Sequence, residues 1–131
     1  MTSLLLDTTF LVDVERSGGE LGEAIADDDD VAIAAITVAE LQVGVLLADE
    51  RRRAARAAYV EDLVGSVPIL AYDLHVAGVH AELLAAVRTQ GRPRGAHDLI
   101  IAATARSTGR VVVTADAGAF ADLPEVMVRP H

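Results

Sequence analysis

Four acidic residues stand where the surrounding sequence makes a charge costly. Asp7 follows the apolar run Leu4-Leu5-Leu6, and Asp116 comes just after Val111-Val112-Val113-Thr114. Glu40 is set inside Ile36-Thr37-Val38-Ala39-Glu40-Leu41-Gln42-Val43-Gly44-Val45-Leu46-Leu47. Asp98 opens the stretch Asp98-Leu99-Ile100-Ile101-Ala102-Ala103-Thr104-Ala105. A carboxylate taken out of water needs a partner or a wet cavity. Taken singly, each has an ordinary explanation. Aspartate favours turns and helix N-caps, and Thr37 with Glu40 has the spacing of a capping box, with Thr37 as N-cap. Taken together they suggest a shared site. Carboxylates brought close repel, and their pKa values rise. A divalent cation removes that conflict. An all-oxygen donor set, with no His or Cys cluster, points to Mg2+ or Mn2+ rather than Zn2+. Such ions, singly or as a pair, can activate water and steady the leaving oxygen in phosphodiester cleavage.

The elements that must position these acids follow from the apolar pattern. Leu4–Leu6 and Val111–Thr114 are short runs without alternation, as expected of strands buried on both faces. Further strands are expected at Val31–Ile36, Val67–Leu70 and Val126–Val128. Helices are expected over Thr8–Arg16 and Leu21–Ala26, from Thr37 to about Asp49, and from Glu50 to about Gly65. Two more follow at Asp73–Gln90, stopped by Gly91-Arg92-Pro93, and at Ala96–Ser107, ended by Gly109. A short helix to about Ala121 precedes the last strand. Strands alternating with helices predict an α/β fold, a three-layer α/β/α sandwich with a mainly parallel central sheet. In such sheets ligands sit beyond the carboxyl ends of the strands, where Asp7 and Asp116 would lie. Gly44 is one turn beyond Glu40. Glycine inside a helix costs about 1 kcal/mol against alanine, so a close approach by another group is expected there. Ala102 and Ala105 leave room beside Asp98.

The chain has 131 residues, a length that suits one domain over residues 1–131. Its 52% hydrophobic content excludes a disordered chain. With no cysteine, disulfide scaffolds, thiolate metal sites and thiol catalysis are excluded. No apolar run nears the roughly 18 residues of a membrane span, and no basic segment precedes Asp7 as in a signal peptide. The expectation is a cytoplasmic protein. Acids outnumber bases 20 to 11, a formal charge of −9. That balance counts against nucleic-acid binding unless the basic residues are grouped. All 11 are arginine. Arg51, Arg52, Arg53 and Arg56 crowd one helix, and Arg92 and Arg94 bracket Pro93 just before Asp98. Either group could track phosphates, although a solvated face is the simpler reading of the first. Asp27–Asp30 reads as a solvated turn, and His97 as a structural neighbour of Asp98. The lack of lysine counts against an Mg2+-dependent phosphotransfer domain, whose site relies on one. A non-catalytic acidic α/β binding module stays open. It predicts that carboxylate-to-amide changes leave function intact.

The stretches Leu5-Leu6-Asp7-Thr8-Thr9, Ile36–Gly44, His97–Ala105 and Val112-Val113-Thr114-Ala115-Asp116 resemble the four signature blocks of the PIN-domain family. They are most similar to its VapC-type toxins of bacterial VapBC toxin–antitoxin pairs. The resemblance runs through the whole chain in order. It implies an Mg2+- or Mn2+-dependent endoribonuclease in which Asp7, Glu40, Asp98 and Asp116 are the catalytic and metal-site acids. Thr9 and Thr114 fall on supporting positions beside the metal. The resemblance also implies a homodimer, held inactive by a VapB-type antitoxin whose tail enters the acidic groove. Ala119, before Phe120, stands where many members carry a further acid.

Overall fold

The computed structural model describes residues 1–18 and 25–131. Five strands form one sheet: β1 (Ser3–Leu6), β2 (Asp30–Ala34), β3 (Ile69–Leu70), β4 (Val111–Thr114) and β5 (Val128–Pro130). Their order is β3-β2-β1-β4-β5, and every pairing is parallel. The helices are α1 (Thr8–Arg16), α2 (Ala35–Leu46), α3 (Glu50–Ser66), α4 (Leu74–Gln90) and α5 (Ala96–Ser107). They cover both faces, so the architecture is the expected α/β/α sandwich.

The unalternated strands explain the layers. Leu4, Leu5 and Leu6 are all fully buried, but their side chains alternate between faces. Leu5, with Ala32, Ala34 and Val112, packs beneath α4 and α5. Leu4 and Leu6, with Ile33 and Val113, pack beneath α1, α2 and α3. Two cores on opposite faces of one sheet therefore fix β1 as the central strand. Among the described residues no helix is long and apolar enough to cross a membrane.

Several boundaries differ from expectation. β2 ends at Ala34 and α2 begins at Ala35, two residues before the expected Thr37 start. Thr37 is buried inside the helix and caps nothing, so the capping box with Glu40 does not form. The apolar run Val31–Ile36 is shared between the end of a strand and the first turn of a helix, a division its composition does not mark. The last strand lies two residues later than expected, because Val126 N–H closes a turn onto Leu123 O at 3.2 Å. A one-turn 3-10 helix, Ala117–Ala119, replaces the expected short helix. The helix expected at Leu21–Ala26 falls largely outside the described residues. The capped helices behave as read: Asp73 accepts from Val76 N–H at 2.9 Å, and Gly91 ends α4 in the left-handed conformation.

The acidic run at Asp27–Asp30 holds the chain together as well as meeting solvent. The N–H groups of Ala26 and Thr2 hold the Asp29 carboxyl below the usual aspartate range. Asp30 pairs with Arg110 at 3.1 Å. The Arg110 guanidinium also donates to Leu4 O at 3.1 Å and Asp30 O at 2.9 Å, joining the entry ends of β1, β2 and β4. We expect Arg110→Ala to lose about 1.5–3 kcal/mol of stability, as for hydrogen bonds to a charged group. Urea unfolding monitored by circular dichroism measures this directly.

Candidate active site

The sheet order places the acids. β1 neighbours both β2 and β4, so the chain reverses its direction of winding between β1 and β4, and the crevice for ligands opens there. Asp7 directly follows β1, and its N–H extends the ladder to Val113 O at 2.9 Å. Asp116 follows β4 and is exposed. Glu40 comes from α2 and Asp98 from the first turn of α5.

Asp7 is only 1% exposed. Its Oδ2 accepts from Thr9 Oγ1 and from Thr114 Oγ1, both at 2.6 Å. The same two hydroxyls accept backbone N–H groups, Thr9 from Ala115 at 3.2 Å and Thr114 from Asp116 at 2.9 Å. A hydroxyl has one proton to give and lone pairs to receive. Each therefore spends its proton on Asp7 and fixes the segment that carries Asp116. Asp7 Oδ1 receives no bond from the described residues.

Glu40 is held at both oxygens. Thr8 Oγ1 donates to Oε1 at 2.8 Å, and His97 Nδ1 lies 3.3 Å from Oε2. Glu40 thus joins α1, α2 and α5. Asp98 is half-buried. Burial raises its pKa first, and the charges of Asp7, Glu40 and Asp116 raise it further, against the opposing effect of His97. The charges of the other three expected acids thus all act on Asp98. Gly95 leaves the Asp98 carboxylate its space: a Cβ there would lie 2.8 Å from Oδ2. The donors are all anionic oxygens, which fits a hard divalent cation. Among the described residues, no three His, Cys, Asp or Glu side chains have the spacing of a closed metal-ligand shell.

Other expected residues go elsewhere. Arg92 pairs with Asp122 at 3.0 Å, and Arg94 donates to Ala121 O at 2.7 Å and Arg92 O at 3.1 Å. Both brace the loop before α5 against the segment after β4. Nothing lies within 4 Å of where a Gly44 Cβ would be, and the Arg56 guanidinium reaches only its carbonyl, at 3.4 Å. No group packs into the space of the missing side chain, and Gly44 lines a hollow instead. Two positions were missed, Thr8 and Gly95. The Thr8-Thr9 pair after Asp7 was the available signal, since consecutive residues entering a helix can serve two different acids. Gly95 carries no signal until its distance to Asp98 is known.

Residues 4–126 match the PIN domain family, and the chain belongs to that family. It is 39% identical over 113 residues to Ribonuclease VapC5 of Mycobacterium tuberculosis, covering 86% of this chain and 82% of the relative. It is 28% identical over 126 residues to a Ribonuclease VapC of Rickettsia bellii, covering 95% and 93%. Among solved structures it is similar to VapBC-5 of Mycobacterium tuberculosis, a member of the VapBC family of toxin–antitoxin systems. That likeness has a TM-score of 0.82, 31% identity and complete coverage of both chains. The VapC nucleases of this family depend in general on a divalent metal.

The raised pKa of Asp98 has a stability consequence. The fold disfavours the charged form, so between the unfolded and folded pKa values the native state binds more protons. Stability falls as pH rises through that window, and the full penalty is present at neutral pH. In chelator, Asp98→Asn should therefore be more resistant to urea than wild type at neutral pH. The gain should vanish below the ordinary aspartate range, which paired urea titrations at the two pH values will check.

Proposed function

We propose that this protein is a metal-dependent endoribonuclease, the toxin of a type II toxin–antitoxin pair, restrained by a VapB-type antitoxin. The observation that carries the reading is the placement of Asp7 and Asp116 at the crevice between β1 and β4, joined through the Thr114 hydroxyl, with Glu40 tied to Thr8 beside them. The names of the relatives, ribonucleases and a toxin–antitoxin complex, support it. The cytoplasm, where RNA and antitoxin would be met, is the compartment that goes with it.

In this reading Asp7, Asp98 and Asp116 hold Mg2+ or Mn2+ directly, and Glu40 does so directly or through water. When bound, the cation supplies Lewis acidity to a water and to the phosphodiester. The chain's own residues supply position. Thr9 and Thr114 fix one oxygen of Asp7 and leave the other to the site. Thr8 and His97 hold Glu40 in one place by its two oxygens. Gly95 gives the Asp98 carboxylate room. Arg92 and Arg94 are the weaker RNA contacts, since both are already engaged within the chain.

The test is induced expression of wild type and Asp98→Asn in a bacterial host, with cleavage of total RNA by the purified proteins. Wild type should arrest growth and cut RNA in Mg2+ or Mn2+. Asp98→Asn should cut more than about 100-fold more slowly, since even outer-sphere changes around a metal cost about 10–100-fold. Equal cleavage by the two would overturn the assignment of the acids. Retained antitoxin binding by a wild type that cuts nothing would favour a purely binding module.

A further inference from the structure

The charge balance leaves a question. A chain with 20 acids and 11 bases has to attract a polyanion to a crevice lined by carboxylates. A hollow of about 100 Å3 opens beside Glu40, between α1 and α3 and floored by α2 at Gly44. Arg16 from α1 and Arg56 from α3 face it. A second hollow of about 320 Å3 continues it past Arg56 to Arg51 and Arg52. The two share Glu15 and Arg56, so they form one groove.

Four of the 11 arginines line this groove, against two glutamates, Glu15 and Glu40. Three of these four arginines have uncommitted guanidiniums. Among the described residues no ion pair or hydrogen bond involves the guanidinium of Arg16, Arg51 or Arg52. Arg56 makes only long contacts, 3.7 Å to Glu15 and 3.4 Å to Gly44 O. By contrast Arg92, Arg94, Arg106 and Arg110 are tied to carboxylates or carbonyls at 2.7–3.1 Å. Unpaired guanidiniums are the ones with donors left for an incoming phosphate.

We infer that this groove is the track for the backbone of single-stranded RNA leading to the acidic crevice, with Arg16 and Arg56 binding a phosphate next to the cleaved one. The inference rests on the ribonuclease reading and deepens it. The inner hollow, about 100 Å3, has room for a phosphate group. The absence of a side chain at Gly44 keeps it open. Tyr59, the aromatic residue in the lining, has its hydroxyl committed to Leu11 O at 2.9 Å.

The experiment measures binding of a short labelled single-stranded RNA by fluorescence anisotropy across a salt series. All proteins carry Asp98→Asn so that the probe stays intact. Arg16→Gln/Arg56→Gln should weaken binding roughly ten-fold near physiological salt. It should also flatten the slope of log affinity against log salt by about 0.7, the share of the one phosphate the pair holds. Arg51→Gln/Arg52→Gln should act in the same direction. Arg88→Gln, on α4 in a separate hollow, should leave the slope unchanged. In the cleaving background the Arg16/Arg56 pair should raise KM and leave kcat within about two-fold, with the melting temperature unmoved. An unchanged slope, or an equal loss in Arg88→Gln, overturns the inference. So does intact RNA binding with a weakened antitoxin complex, which would assign the groove to the protein partner. Cleavage by Asp98→Asn at the wild-type rate would strike the ribonuclease site and leave the binding series to judge the groove.

Discussion

A carboxylate buried at the end of a central strand must be satisfied from whatever lies beside it, and Asp7 is satisfied by two threonine hydroxyls. Thr9 comes from the first turn of α1 and Thr114 from the last residue of β4. That requirement reaches well beyond Asp7. It sets the distance between α1 and β4, and it turns the Thr114 hydroxyl so that it receives Asp116 N–H. A single buried charge thus decides where a second acid stands. An unmet carboxylate in this place would cost far more than any one packing contact.

The remaining two acids come from helices on opposite faces of the sheet, and their arrangement opposes stability. Asp98 is less acidic than a free aspartate because it is desolvated and faces three other carboxylates. Glu40 escapes part of this conflict through Thr8 and His97. Natural proteins tolerate such local costs at working sites when the rest of the fold supplies the margin. Here the margin comes from two separate cores, one on each face of a sheet whose central strand contributes to both.

Much of the scaffold was legible because its signals are strong and local. Leu4-Leu5-Leu6 and Val111–Thr114 read as strands covered on both sides, and the ends of α4 and α5 are marked by Gly91-Arg92-Pro93 and by Gly109. The four acids were legible because each interrupts an apolar run. What the sequence withheld were quantities set by tertiary contact. Thr37-x-x-Glu40 has the spacing of a cap, yet packing carries the helix back to Ala35 and buries the threonine. Gly44 signals a close approach by its type, and the space it leaves is empty. Asp29 and Asp30 look solvated in a run of four acids, and only the position of Arg110 and of the N–H groups of Thr2 and Ala26 shows otherwise. The order of the strands, which alone brings Asp7 beside Asp116, is written in no single segment.

The junction between β2 and α2 has no loop. Ala34 closes the strand and Ala35 opens the helix. The pairing of β2 with β1 therefore dictates, through six residues of rigid backbone, the bearing of Glu40 around its helix axis. One residue gained or lost at that joint would swing Glu40 by about 100°, the rotation per residue of an α-helix. The joint works as an indexing pin. A change of length at that joint would carry the carboxylate away from the other three acids.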